Sequence, residues 1–146
     1  MPITTGFNHV ATLTANMDRL VGFYADVFGS EVIHEVHPSE GHPHLVIIDL
    51  GGGAALNVFA VPAETILGEQ RTIGGRGAID HFGLAVSDLA TLEMVRDRLT
   101  AANADVGEIQ MLGSEWSLFF RDPDGMELEV CAPSEPSTCG PLRLSS

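Results

Sequence analysis

Two histidines, an asparagine and a glutamate occupy matching positions in the two halves of this chain. His9 and His81 are 72 residues apart, and the same interval separates Asn57 from Glu129. Each lies in a stretch of alternating residues, which is typical of a β-strand with one buried face. Two imidazoles and a carboxylate from separate strands match the pattern that binds divalent Fe, Mn, Zn, Ni or Co with open coordination positions. We therefore predict one divalent metal ion on His9, His81 and Glu129.

Other segments repeat at the same interval of 72 residues. Residues 56–60 correspond to residues 128–132, and residues 46–48 correspond to residues 118–120. A fixed interval that relates several segments indicates an internal duplication. We predict a single domain made of two modules, at about 7–61 and 79–133, with a linker at 62–78 and a flexible tail at 134–146.

Each module is predicted to have the element order β-α-β-β-β. Asn16 and Asp88 precede the two helical patterns as N-caps, and Gly29 ends the first helix. Strands are expected over residues 7–14, 31–37, 44–50 and 54–61, and then over 79–86, 105–111, 116–121 and 126–132. The predicted fold class is α+β, with tandem βαβββ modules forming a cupped eight-stranded mixed sheet and the helices on its outer face.

Alternation divides the residues of the central strands into two rows. The apolar row, which we expect under the helices, contains Val10, Thr12, Leu56, Val58, Ala60, Phe82, Leu84, Val86, Leu128 and Val130. The other row contains the four polar residues together with Ala11, Phe59, Gly83, Glu127 and Cys131. If the modules pair about a pseudo-twofold axis, the four polar side chains converge on one concave face.

Composition excludes several classes of function. The formal net charge of −13 disfavours nucleic acid and anionic membranes as partners. All 7 basic residues are Arg, which removes Schiff-base lysines and P-loop lysines. The sequence starts without a basic-then-apolar leader, so we expect a cytoplasmic protein. Cys131 and Cys139 are then expected to be reduced thiols.

These features resemble the vicinal oxygen chelate superfamily, which includes glyoxalase I, extradiol dioxygenases, methylmalonyl-CoA epimerase, and fosfomycin and bleomycin resistance proteins. The resemblance covers nearly everything from Phe7 to Pro133. The motifs that carry it are Asn8-His9-Val10, Phe23-Tyr24-x-x-Val27-Phe28-Gly29, Asp80-His81-Phe82 with Asp88-Leu89, and the run from Phe119 to Glu129 with its turn Asp122-Pro123-Asp124-Gly125.

The resemblance implies that His9, His81 and Glu129 hold the metal. The fourth ligand of glyoxalases and epimerases, often Glu or Gln, falls on Asn57. It further implies a homodimer and an enzyme whose metal chelates two oxygens of a small substrate, with lyase, isomerase and dioxygenase chemistry all open. The alternative is a non-catalytic, bleomycin-resistance-like protein that binds a flat drug or similar ligand.

This chain lacks some of the residues that two members of the superfamily, the extradiol dioxygenases and the fosfomycin transferases, use. Dioxygenases use extra His and Tyr groups, whereas this chain has no His between His44 and His81 and no Tyr after Tyr24. Fosfomycin transferases carry a polar residue two positions after the first ligand, where this chain has Ala11, and a serine-rich loop where it has residues 113–116.

Several residues could support the site. Glu129 and His44 are the candidate catalytic residues, and Asn57, Phe59 and Cys131 are candidate substrate contacts. Trp116 and Phe120 could stack on a flat substrate, and packing in the core is the alternative for both. Cys131 shares the face of Glu129, where it is expected to be a small apolar filler, or else a nucleophile or soft ligand.

Two further expectations concern neighbouring polar residues. Asn8 and Asp80 precede the two histidines, and alternation points them to the opposite face, away from the imidazoles. His34, His37, His42 and His44 are close together in sequence. His34 and His37 should face opposite ways, so we interpret the group as a solvated or pocket-rim cluster rather than a second metal site.

Overall fold

The computed structural model describes residues 1–66 and 78–135. They belong to two compact units, residues 1–68 and residues 69–146. The glycine-rich part of the predicted linker, residues 74–77, lies outside the described residues. So do Cys139 and most of the predicted tail, since the description ends at residue 135.

The first unit contains a four-stranded mixed sheet and a helix. Its elements are β1 (His9–Thr14), α1 (Met17–Phe28), β2 (Val32–Val36), β3 (Leu45–Gly51), β4 (Ala54–Ala60) and a 3₁₀ turn (Ala63–Thr65). The strand order is β1-β4-β3-β2. β1 pairs with β4 in parallel, and the other two pairings are antiparallel.

Local chemistry sets both ends of α1. The Asn16 side chain accepts a hydrogen bond from the backbone N–H of Arg19, which satisfies one of the otherwise unpaired donors of the first turn. Gly29 ends the helix at φ 67°, a left-handed conformation that a residue without Cβ adopts readily. The buried face of α1 carries Leu20, Tyr24 and Val27 and covers one face of the sheet.

The second unit repeats this arrangement. Its elements are β5 (Phe82–Ala85), α2 (Leu89–Ala101), β6 (Gln110–Leu112), β7 (Glu115–Arg121) and β8 (Glu127–Pro133), with the strand order β5-β8-β7-β6. Asp88 caps α2 by accepting hydrogen bonds from the backbone N–H and the hydroxyl of Thr91. These two bonds hold the pKa of Asp88 below its usual value.

Several strands are shorter than predicted, β5 and β6 most of all. β5 covers only Phe82–Ala85 of the predicted 79–86. β6 begins at Gln110 rather than at residue 105, and Val106 forms only an isolated bridge with Phe120. The segment before β6 is nevertheless fixed to β7, because the Gly107 N–H donates to the carbonyl of Phe119. Backbone bonds thus hold this segment without a continuous ladder.

The strand register confirms the duplication. Ala11 is paired with Asn57 in the first unit, and Gly83 is paired with Glu129 in the second. Leu56 and Leu128 are the equivalent core residues, and both are 0% exposed. The α+β class and the tandem βαβββ modules are therefore confirmed, with the eight strands divided into two hydrogen-bonded sheets of four.

Across residues 1–66 and 78–135, neither helix has the length and apolar character required to cross a bilayer.

Candidate metal centre

The second unit brings two of the three predicted ligands together. β5 lies parallel to β8, so His81, just before β5, comes beside Glu129 on β8. The His81 Nε2 atom is 3.1 Å from Glu129 Oε2. Both side chains are partly buried, with 28% and 18% of their surface exposed. This pair is the part of the candidate site that lies within the second unit.

The other nitrogen of His81 is held by the preceding residue. His81 Nδ1 lies 2.6 Å from Asp80 Oδ2. An ionised carboxylate only accepts hydrogen bonds, so Nδ1 donates its proton to Asp80. This corrects the expectation that Asp80 points away. Strand β5 begins at Phe82, so the alternation of side chains does not extend back to Asp80.

The first unit contains the same arrangement around the other histidine. His9 Nδ1 lies 2.7 Å from Asn8 Oδ1, an amide oxygen that only accepts. The expectation for Asn8 was wrong for the same reason, because β1 begins at His9. In both modules, the residue before the histidine accepts a hydrogen bond from Nδ1–H, which leaves Nε2 as the nitrogen that can bind a metal.

This tautomer places two acceptors face to face in the second unit. With the proton of His81 on Nδ1, the Nε2 lone pair points towards a carboxylate oxygen at 3.1 Å. Two such groups repel one another unless a cation lies between them or the imidazole gains a second proton. The arrangement therefore fits a metal ion, whose histidine ligands usually donate their second N–H to a carboxylate or carbonyl oxygen.

Neighbouring side chains fix the Glu129 carboxylate. The Ser117 hydroxyl, which is 1% exposed, donates to Glu129 Oε1 and leaves Oε2 towards His81. Phe119 packs edge-on against the His81 ring, with ring centroids 5.2 Å apart. Neither Ser117 nor Phe119 was predicted as a site residue, although their cross-strand partners Cys131 and Glu129 on β8 were.

Cys131 lies on the same face as Glu129 and is half-buried. Burial, with the neighbouring carboxylates Glu129 and Glu115, raises the pKa of its thiol to about 12. A thiol of that pKa stays protonated at neutral pH, which argues against the nucleophile alternative and agrees with the filler alternative.

A small depression extends this face of the second unit. It has a volume of about 180 Å³ and is lined in part by Phe119, Arg121, Glu127 and Asp105. The Arg121 Nε–H donates to Glu127 Oε2 at 2.8 Å, and this bond raises the pKa of the guanidinium. The ion pair neutralises a carboxylate that is only 9% exposed.

In the first unit, His9 and Asn57 share one face of the sheet. Ala11 and Asn57 are opposite one another, and His9 lies two residues before Ala11 on β1. Phe59 is half-buried and lies two residues after Asn57 on the same face. The centroid of its ring is 6.4 Å from that of the His42 ring. Asn57 and Phe59 therefore lie on the side of the sheet on which they were predicted.

Three other predicted residues lie on the sides of the sheets opposite to Glu129 and Asn57. Phe120 is paired with Leu128 and is 1% exposed, so the core-packing alternative holds for it. Trp116 is paired with Ala132 in the same row. His44 directly precedes β3 and shares the side of Val46, a core residue. The strand alternation thus separates these residues from the faces that carry Glu129 and Asn57.

His44 instead joins a different group of polar side chains. Its Nε2 lies 2.6 Å from Glu35 Oε1, and His37 Nδ1 lies 3.7 Å from the same oxygen. Potential ligand atoms of Glu35, His37 and His44 all lie within 4.8 Å of one another. His34 is paired with Ile47 and faces the other side of the sheet, as expected. The histidine cluster is therefore more closely organised than predicted.

Comparison with known proteins identifies the family. A family model described as the Glyoxalase/Bleomycin resistance protein/Dioxygenase superfamily matches residues 6–130. The chain is 28% identical over 124 residues to a probable chloroplastic lactoylglutathione lyase of Arabidopsis thaliana, an alignment that covers 84% of this chain and 34% of that relative. The chain thus spans about a third of the length of that curated relative.

Solved structures share the fold. A glyoxylase/bleomycin resistance protein/dioxygenase domain from Frankia sp. EAN1pec matches with a TM-score of 0.76 and 21% identity, covering 89% of this chain and 98% of that one. A mutant of the fosfomycin resistance protein FosX from Listeria monocytogenes, in complex with Mn(II) and 1S,2S-dihydroxypropylphosphonic acid, matches with a TM-score of 0.68 and 13% identity, covering 91% and 94%.

Proposed function

We propose that this chain, which belongs to the Glyoxalase/Bleomycin resistance protein/Dioxygenase superfamily, is a metal-dependent enzyme acting on a small molecule. In this proposal, His9, His81 and Glu129 hold one divalent ion, and a substrate binds through two of its oxygens. Two histidines and a carboxylate leave coordination positions open for those oxygens.

The observation that carries the proposal is the contact between His81 and Glu129. His81 Nε2 and a carboxylate oxygen of Glu129 face each other at 3.1 Å, while Nδ1–H of His81 donates a hydrogen bond to Asp80. The same use of the preceding side chain at Asn8 and His9 supports His9 as the third ligand.

The chain's own residues have distinct roles in this proposal. Asp80 and Asn8 orient the imidazoles, and Ser117 orients the Glu129 carboxylate. A bound divalent ion supplies Lewis acidity, which stabilises negative charge as it develops on a substrate oxygen. Asn57, an uncharged amide, can hydrogen-bond a substrate but cannot act as a base.

The relatives indicate the kind of substrate. The FosX complex contains a compound with hydroxyl groups on neighbouring carbons, and the Arabidopsis thaliana relative is named for action on lactoylglutathione. Both compounds can present two oxygens to one metal ion. We infer that this chain takes a small substrate of that class. We favour lyase or isomerase chemistry over dioxygenase chemistry, because dioxygenases use an additional tyrosine and Tyr24 is the only tyrosine of this chain.

The test is metal-dependent turnover. Chelator-treated protein, reloaded separately with Mn²⁺, Fe²⁺ (anaerobically), Co²⁺, Ni²⁺ or Zn²⁺, is assayed with lactoylglutathione, vicinal diols and catechols. We expect turnover of at least one compound with at least one metal, and its loss in Glu129→Ala. Tight binding of such compounds to metal-free protein, with no turnover under any condition, would favour the ligand-binding alternative instead.

A further inference from the structure

The hairpin formed by β2 and β3 carries three possible metal ligands on one side. Val36 is opposite Leu45, so His37 and His44 face each other at the next position towards the turn. Glu35, paired with Val46, lies on the same side. We propose that Glu35, His37 and His44 form a second metal site, specific for a zinc-like divalent ion.

The ligand atoms of Glu35, His37 and His44 are already nearly close enough together to bind one ion. Glu35 Oε1 lies 2.6 Å from His44 Nε2 and 3.7 Å from His37 Nδ1, and the three ligand atoms fit within 4.8 Å. In a tetrahedral zinc site, bonds of about 2.0–2.1 Å place ligand atoms about 3.3 Å apart. The observed spacings lie on either side of that value, so small side-chain rotations suffice.

The two imidazole rings are already aligned. Their centroids are 6.2 Å apart, and their planes differ by 12°. The connecting turn is closed by a pair of backbone hydrogen bonds between Ser39 and His42, of 3.0 and 3.1 Å. His42 itself points its Nδ1 at the Pro43 carbonyl, at 2.6 Å. The hairpin therefore holds His37 and His44 in register and leaves His42 outside the ligand set.

The ligand chemistry selects the ion. Two imidazoles and one carboxylate suit Zn²⁺ and neighbouring borderline ions better than Mg²⁺ or Ca²⁺, which prefer oxygen ligands alone. The side chain of His37, which directly follows edge strand β2, is 81% exposed, so an ion can enter from solvent and keep a water ligand. The strongly negative chain, at −13, also favours cation binding.

This site is separate from the centre proposed above. Glu35, His37 and His44 share the side of Val46, whereas Asn57 and His9 lie on the other face of the same sheet. Its occupation would tie the edge strand β2 to β3 across the 38–43 turn. Because zinc would bind this site only in the folded protein, the thermal stability of the protein would rise with zinc concentration.

The experiment is a Zn²⁺ titration of the full chain in competition with a chromogenic chelator. We expect His81→Ala, which lacks the other centre, to keep one zinc equivalent. Adding His37→Ala or His44→Ala should weaken zinc binding by at least ~10–100-fold. Losing the hydrogen-bond partner of a ligand already costs that much, and these substitutions remove a ligand itself. His34→Ala, on the same strand but the opposite face, is the matched control and should change nothing.

Two results would overturn the proposal: no zinc on His81→Ala, or zinc affinity unchanged by His37→Ala and His44→Ala. Circular dichroism without zinc checks that each variant is folded. If His81→Ala does not fold, the same substitutions in the otherwise unchanged chain should remove one of two equivalents. If the His9, His81 and Glu129 centre binds no zinc, the unchanged chain should hold one equivalent, and the same substitutions should remove it. The two failures therefore differ in the number of equivalents that remain.

Discussion

At the scale of single residues, the Nδ1 proton of His81 decides which ring nitrogen is available. Asp80 Oδ2 accepts a hydrogen bond from that N–H with a nitrogen-to-oxygen distance of 2.6 Å, and Asn8 Oδ1 does the same for His9 at 2.7 Å. The residues directly before the two histidines therefore determine that Nε2 carries no proton and can bind a metal. The repetition of an Asn or Asp at positions 8 and 80 was visible in the sequence and could have identified both.

We predict that Asp80→Ala weakens metal binding by about 10–100-fold, because the His81 ring loses the partner that fixes its tautomer and orientation. Isothermal titration with Mn²⁺ measures the effect. Asp105→Ala removes an equal charge from the same unit, where Asp105 pairs with Arg121 at 3.5 Å, and serves as the control. Equal losses in both variants would assign the effect to overall charge instead.

A second residue-scale prediction concerns the Cys131 thiol. Its pKa is raised to about 12, from 9.0, so the folded protein holds it protonated. At pH 8, alkylation of Cys131 should be about 1000-fold slower in folded than in urea-unfolded protein, and its rate should keep rising with pH up to about 12. Peptide mass mapping separates Cys131 from Cys139. A rate that levels off near pH 9 would contradict the raised pKa.

The sign of the linkage follows from the same shift. A raised pKa means that folding favours the protonated thiol, so its contribution to stability is complete below about pH 9. As the pH rises from there towards 12, the unfolded chain ionises first and this contribution is lost.

At the scale of elements, the helices follow directly from local sequence signals. Asn16 and Gly29 were predicted as the boundaries of α1, and Asn16 and Gly29 cap it in the structure. Asp88 was likewise predicted and found as the cap of α2. Capping depends on hydrogen bonds between residues three apart, which the sequence displays without knowledge of the tertiary structure.

We predict that Asn16→Ala lowers the free energy of unfolding by about 1 kcal/mol, since the Arg19 N–H loses its acceptor at 3.0 Å. Urea denaturation followed by circular dichroism measures this change. Asn16→Ser keeps a side-chain oxygen at the cap and should remain close to the parent protein. If Ser and Ala were equally destabilising, the capping bond would not be the cause.

Strand faces were predictable only where a strand is regular. Alternation placed Leu56, Val58, Leu128 and Val130 in the core correctly, and all four are 0% exposed. It failed at Asp80, which lies before its strand begins. Alternation also implies that Phe120 lies beside Leu128 in the core, whereas the proposed stacking role required the other face. Side-chain direction beyond a strand end depends on tertiary contacts, which no local pattern contains.

At the scale of the whole molecule, the duplication is the feature that sequence alone established best. One interval of 72 residues predicted two modules with the same element order and with equivalent caps at Asn16 and Asp88. The parallel pairing of β1 with β4 and of β5 with β8 came from the structure. The interval could not predict the group formed by Glu35, His37 and His44, because that group has no counterpart in the second module: the equivalent positions are Gly107, Ile109 and Trp116.

The central claim is that residues from both modules hold one ion, so His9 provides its most direct test. The measurement is Mn²⁺ binding followed by electron paramagnetic resonance, since Mn²⁺ lies lowest in the affinity order and interferes least through the exposed histidines. We predict one bound Mn²⁺ per chain, lost alike in His9→Ala, His81→Ala and Glu129→Ala and retained in His34→Ala. Wild-type affinity in His9→Ala would contradict the shared centre.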